Sequence, residues 1–170
     1  MELDVGCGFA RWGREGGYPF NPAASGPDVI HLDLRAPEAR VPNFVVADAH
    51  HLPFREGALD AVYMIHVLEH LEAPAKAIQE AIRVLRPGGR LTLEVPGAFS
   101  RVFDLDPGHK WRFSPSRLKR LLTGFRAVRI WGEGISPKLV PFWPLRLLLG
   151  RLLPSVPWPL AEYIRAECVK

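Results

Sequence analysis

The sequence predicts an α/β protein built on a doubly wound, mostly parallel sheet, and three observations predict it. Short apolar runs rich in β-branched residues recur through the first hundred positions, helical or crossover stretches separate them, and glycines or aspartates close several of the runs. The first run is Glu2 to Val5, which leads straight into the turn Gly6-Cys7-Gly8. Gly13, Gly16, Gly17, Pro19 and Pro22 follow, so any helix from Phe9 to about Arg14 is short. Asp28 to Asp33 reads as a second strand, Asn43 to Ala47 as a third and Leu59 to Ile65 as a fourth.

The clearest helix runs from Pro74 to Leu85. Ile78, Ala81, Ile82 and Leu85 fall at i, i+3, i+4 and i+7, proline opens the helix, and Pro87-Gly88-Gly89 lies just beyond it. Arg90 to Pro96 is then a buried strand. Ser114-Pro115 reads as an N-cap and first helical residue, with Leu118, Leu121 and Leu122 turned inward and Gly124 as terminator. Phe125 to Trp131 makes a sixth strand, and a proline-rich apolar insertion, at about 133–160, precedes a last strand from Tyr163 to Val169.

Composition fits one soluble domain over residues 1–170, with 48% hydrophobic and 24% charged residues. No run of about 18 apolar residues exists and the N-terminus is acidic, so neither a spanning helix nor a signal peptide is expected and the cytoplasm is the expected address. Cys7 and Cys168 lack metal-ligand spacing and read as free thiols. The net charge of +4 hides an asymmetry: residues 1–96 carry 9 Lys and Arg against 13 Asp and Glu, whereas residues 97–170 carry 13 against 5. The basic half is suited to an anionic substrate, a nucleic acid or an acidic membrane surface, or is simply a solvated face.

In a doubly wound sheet, ligands bind at the carboxyl ends of the strands, beside the point where strand order reverses. Three strand ends are marked for that role. Gly6 and Gly8 let backbone N–H groups approach a ligand. Asp33 closes the second strand, where a carboxylate accepts hydrogen bonds from both hydroxyls of a ribose, and Asp48 closes the third, where it accepts the amine of an adenine. A G-x-G-x-x-G dinucleotide fingerprint needs Gly or Ala at position 11; Arg11 stands there and argues against a nicotinamide or flavin cofactor.

The strings LDVGCGFA, VIHLDL, VVADAHHLPFREGALDAVYMIHVLEHL and RVLRPGGRLTLEVPG, in that order, resemble the successive motifs of the class I S-adenosylmethionine-dependent methyltransferases, in particular the small-molecule branch called type 11. The resemblance covers about residues 2 to 97 and, more weakly, 104 to 131. It implies a Rossmann-like, seven-stranded sheet whose last strand inserts antiparallel beside the fifth, with S-adenosylmethionine as cofactor and S-adenosylhomocysteine as product. It also implies that Asp4, Gly6, Cys7 and Gly8 surround the methionine moiety, that Asp33 and Leu34 meet the ribose, and that Asp48, Ala49 and Leu52 hold the adenine. Ile65 and His66 then flank the sulfonium side. The family's usual helix before the first strand is missing here, which predicts a more open site, and Ala10 replaces a third glycine of the first motif.

Methyl transfer is an in-line displacement at an activated sulfonium, so a general base is optional. His66 is the first candidate for one and His109, in the loop after the fifth strand, the second; each also reads as a residue that only satisfies its surroundings. His66, Glu69 and His70 at i, i+3 and i+4 have the spacing of a divalent-ion site, which is also ordinary for metal-free members, and no metal is expected. His50 and His51 are expected at the solvent-exposed rim. The insertion, with Phe142, Trp143, Trp158 and many leucines, reads as a connection packed over the sheet or as an interfacial patch or lid making peripheral membrane contact. The leading function is methylation of a small molecule: lipid-like, quinone-like or a sugar. The alternatives are a catalytically silent binding module and an RNA methyltransferase, although no RNA-binding motif is visible.

Overall fold

The computed structural model describes residues 1–7, 28–37, 40–100, 104–153 and 155–170. Gly8 and the short helix expected from Phe9 lie outside the described residues. Seven strands form one sheet: β1 Glu2–Val5, β2 Val29–Asp33, β3 Phe44–Val46, β4 Leu59–Ile65, β5 Leu85–Pro96, β6 Ala127–Ile135 and β7 Ala161–Val169. Three helices are described with them, α1 Pro74–Val84, α2 Pro115–Leu121 and α3 Trp143–Leu152. The strand order is β3-β2-β1-β4-β5-β7-β6, with β7 antiparallel to both its neighbours and the remaining pairs parallel. Seven strands with an antiparallel last strand beside the fifth are what the family resemblance implies. The order reverses between β1 and β4, which fixes the crevice where ligands bind in such sheets.

The core follows the strand periodicity. Leu3 and Val5 of β1, Val62 and Met64 of β4, and Leu91 and Leu93 of β5 are at most 1% exposed, and helices cover the sheet faces. On α1 the buried side is Pro74, Ala77, Ile78, Ala81 and Val84; Ile82 lies at its margin, where its Cδ1 is 2.6 Å from the position a Cβ on Gly124 would take. Ser114 caps α2 by accepting a hydrogen bond from the Arg117 N–H at 3.2 Å, and Leu118 and Leu122 are fully buried while Leu121 is half-buried.

Strand boundaries differ from expectation where pairing overrides local signals. β5 begins at Leu85, five residues early, because Leu85 pairs with Leu59 across an irregularity that absorbs Pro87, Gly88 and Gly89. β6 starts two residues late and runs on to Ile135, and β7 starts at Ala161, since each extends the other down to the pair Ile135 and Ala161. The insertion is also more regular than its prolines suggest. Pro144 sits in the first turn of α3, where a missing N–H costs no hydrogen bond, so ten residues are helical.

Leu93 lies at the centre of the sheet with no exposed surface. Leu93→Ala is expected to lower unfolding stability by about 2–5 kcal/mol with an unchanged urea m-value, read by circular dichroism against urea.

Candidate active site

Parallel pairing sets the carboxyl ends of β3, β2, β1 and β4 side by side. The Gly6 and Cys7 N–H groups both donate to the Leu32 carbonyl, at 2.7 and 3.2 Å, and the Ala47 N–H donates to the Asp33 carbonyl at 3.0 Å. Asp48, Asp33, the Gly6 bend and His66 therefore stand in that order along one edge. Gly6 has φ +67°, and a Cβ there would lie 2.6 Å from Cγ2 of Val67, so both the backbone and the space require glycine. The bend thus lies directly against the turn that leaves β4.

Several expected ligand-contacting residues have defined roles within the protein. Asp4 is buried, with Oδ2 3.5 Å from His31 Nδ1. Asp33 Oδ1 accepts the Leu34 N–H at 2.7 Å, and the Leu34 side chain is exposed. Asp48 Oδ1 accepts both the His50 backbone N–H at 2.8 Å and His50 Nδ1 at 2.7 Å. The backbone hydrogen bond from His50 is the main reason that this carboxyl lies below its ordinary value. His50 is accordingly a brace for Asp48, largely covered, and departs from the solvent role expected of it. Ala49 and Leu52, expected at an adenine, are core residues 7% and 4% exposed. The Leu52 backbone is tied down as well, its N–H to Glu80 Oε2 and its carbonyl to Arg83.

Ile65 ends β4 opposite Glu94, and His66 follows with φ +56°, a left-handed conformation uncommon outside glycine. Its N–H donates to the Glu94 carbonyl at 3.0 Å. Its ring lies between two buried carboxylates, with Nδ1 3.1 Å from Glu69 Oε1 and Nε2 3.1 Å from Glu94 Oε1. Burial acts to lower the His66 pKa, but the hydrogen bonds to Glu69 and Glu94 outweigh it and push it up to about 9. Burial acts to raise that of Glu94, and the hydrogen bonds from His66 and Arg165 hold it below its ordinary value. Arg165 of β7 closes the row by pairing with Glu94 and, at 3.0 Å, with Glu133. The Tyr163 ring meets His66 edge-on at 5.4 Å. Two carboxylates around one imidazole favour its charged form, in which the ring has no lone pair to take a proton.

His109 is not in solvent. Its side chain is 3% exposed, 3.9 Å from Glu69 Oε1, with its ring 4.5 Å from that of His70. His70 Nδ1 meets the Gly108 carbonyl at 3.2 Å, and burial first, then proximity to His109, lowers its pKa. The Lys110 N–H and the Trp111 indole donate to the Glu69 and Leu71 carbonyls, at 2.7 and 2.6 Å, so the loop after β5 clamps the single helical turn at Leu68–His70. Glu69, His70 and His109 each bring one donor atom within 4.8 Å of the others, close enough to share a divalent ion. His66 of the trio read from sequence is committed instead to Glu69 and Glu94.

Sequence reasoning missed Glu94 and Arg165. The signal was present: Glu94 is the one acid in the apolar run Arg90 to Pro96 of a central strand, and a carboxylate in that position requires a buried partner. Arg165 occupies the matching place in β7, directly opposite.

Comparison with known proteins agrees with this architecture. The family model Methyltransf_11, described as a methyltransferase domain, matches residues 3–93. A tRNA (carboxymethyluridine(34)-5-O)-methyltransferase of Arabidopsis thaliana is 36% identical over 98 residues, 55% of this chain and 23% of that protein. A demethylmenaquinone methyltransferase of Renibacterium salmoninarum is 37% identical over 78 residues, 42% of this chain and 33% of that protein. The chain spans between 17% and 36% of the length of the first three curated relatives it matches. In fold it is similar to a SAM dependent methyltransferase from Archaeoglobus fulgidus, with a TM-score of 0.65 at 22% identity, over 99% of this chain and 85% of that one. With its core motifs inside the matched segment and its seven strands in the Rossmann-like methyltransferase order, the chain belongs to the type 11 methyltransferase-domain family.

Proposed function

We propose that this protein transfers a methyl group from S-adenosylmethionine to a small-molecule acceptor. The observation that carries the reading is the convergence of Asp48, Asp33, the Gly6 bend and the β4 turn on one edge at the strand-order reversal. In this reading Asp33 takes the ribose hydroxyls, with Leu34 beside them, and Asp48, fixed by His50, forms the adenine end. Gly6 and Cys7, with Asp4 behind them, receive the methionine end; Ala49 and Leu52 contribute from within the core, and Ile65 and His66 border the sulfur. The quinone-modifying relative, among others, supports a small-molecule acceptor, possession of a methyltransferase domain supports the chemistry, and an RNA acceptor, favoured by the basic C-terminal half and the tRNA-modifying relative, is the second reading.

The cofactor, when bound, supplies a methyl group already activated on a sulfonium. What the chain then has to provide is alignment, worth effective molarities of about 10⁵–10⁸ M in well-oriented systems. The reading therefore requires neither a metal nor a general base. His66 is a positioning residue: its charge locks Glu69 and Glu94, and so holds the β4 turn against Gly6. His109 supports Glu69 from the other side.

Calorimetric titration tests the site. Asp33→Ala should weaken S-adenosylmethionine and S-adenosylhomocysteine binding by about 1–3 kcal/mol, roughly 5- to 150-fold; unchanged affinity refutes the ribose role. Transfer of tritium from labelled cofactor into a small-molecule fraction separates an enzyme from a silent binding module, and label entering RNA selects the second reading.

The charge row makes its own prediction. Because the His66 pKa is raised in the folded state, its contribution to stability is complete below pH 6.5 and is lost as pH rises through about 9. Urea unfolding from pH 6.5 to 9.5 should cost the wild type on the order of 2–3 kcal/mol more than His66→Asn, whose side chain tolerates the left-handed backbone. Parallel pH profiles of the two proteins would show that the ring is neutral.

A further inference from the structure

Helix α3 stands out for what it leaves uncovered. Towards the domain it turns Leu149, which packs against the small cluster of Ile135, Val156 and Ala161, with Arg146 half-buried beside it. Most of the rest of its surface is apolar and open: Phe142, Trp143, Leu148 and Leu152 are 66%, 61%, 54% and 66% exposed, with Leu145 and Leu147 between them and Arg151 exposed near the end. Exposed apolar surface gathered on one helix in this way marks a protein or membrane contact. Ten residues rise only about 15 Å, half the hydrocarbon thickness of a bilayer, and no helix among the described residues is long and apolar enough to cross a membrane.

Charge identifies the occupant. From Gly134 to Ala161 the chain has Lys138, Arg146 and Arg151 and not one Asp or Glu. Lys138 pairs with Asp104, whereas Arg146 and Arg151 have no acidic partner among the described residues. A second copy of this face would set cations against cations, whereas anionic headgroups above an acyl layer complement both the arginines and the leucines. Position agrees. Because β7 is antiparallel, the insertion that precedes it lies at the carboxyl edge of β5, the edge that holds His66; Tyr163 meets His66, and Trp158 lies 6.4 Å from Phe99, just beyond β5.

We propose that Phe142–Leu152 docks the protein on an anionic membrane surface, lying in the plane of the interface and turning the active-site edge toward the bilayer. Docking is read without turnover, so it stands or falls separately from the cofactor assignment.

Flotation of the full chain with vesicles of phosphatidylcholine, alone or with about 30 mol% phosphatidylglycerol, tests it. Association with the mixed vesicles should be at least about tenfold stronger than with neutral ones and should fall about tenfold in 0.5 M salt. The double variant Trp143→Ser, Leu148→Ser, altered only at exposed positions, should lose at least about tenfold, while Arg86→Gln at the opposite edge of the sheet should bind as wild type. Equal partition into neutral and anionic vesicles overturns the proposal, and so does vesicle binding unaffected by the double variant. A concentration-dependent dimer that the double variant dissolves, with no vesicle binding, also overturns it and assigns the face to a second copy.

Discussion

One imidazole held between two buried carboxylates organises the candidate site of this protein. His66 sits between Glu69 and Glu94, and Arg165 extends the row, so that three separate pieces of chain meet in one row of charged groups: the turn after β4, the carboxyl end of β5 and the middle of β7. Removing His66 leaves the two carboxylates Glu69 and Glu94, 0% and 8% exposed, without the group between them, which is costlier than never having built the row. The same row holds the β4 turn in its left-handed conformation, and that turn is what Gly6 packs against. The crevice between β1 and β4 therefore inherits its shape from electrostatics as well as from sheet topology.

Most of the sheet was legible because buried parallel strands read as apolar runs and their ends are punctuated. The strings at Glu2 to Val5 and Leu59 to Ile65 match the observed strands at both ends. Boundaries failed where a partner strand supplied the deciding hydrogen bonds. Leu85 looks helical by periodicity, yet its pairing with Leu59 makes it the first residue of β5, and the β6 to β7 hairpin lengthens both strands beyond their local signals. Such pairings depend on residues far apart in sequence, and single-strand patterns carry no trace of them.

The candidate site was legible in outline and less so in role. Aspartates at the ends of β2 and β3 could be found as punctuation, and the glycine bend likewise. What sequence does not reveal is which partner a polar group already has. His50 looks like a rim residue until the turn after β3 folds it back on Asp48, and nothing in the spacing of His66 shows that Glu94, one strand away, faces the other side of its ring. Both surprises have one cause: hydrogen-bond partners contributed by a neighbouring element change a residue's chemistry without changing its spacing. A lone acid in an apolar strand is the exception, because desolvation demands that its partner exist even when the sequence does not say where.

The two unusual regions of the molecule, the charge row and the apolar helix α3, are joined by a short length of chain. β7 carries Tyr163 and Arg165 into the row and begins immediately after the insertion that holds α3. The Ser136 hydroxyl, at the start of that insertion, donates to the Phe99 carbonyl at 2.7 Å, and the Ser100 hydroxyl donates to the buried Glu162 at 2.9 Å. These contacts tie the segment after β5 to both ends of the insertion. The insertion is thus joined to the backbone after β5 by two side-chain hydrogen bonds, of which the one to Glu162 is buried. They fix where the insertion leaves β6 and rejoins β7, at the same end of the sheet as His66.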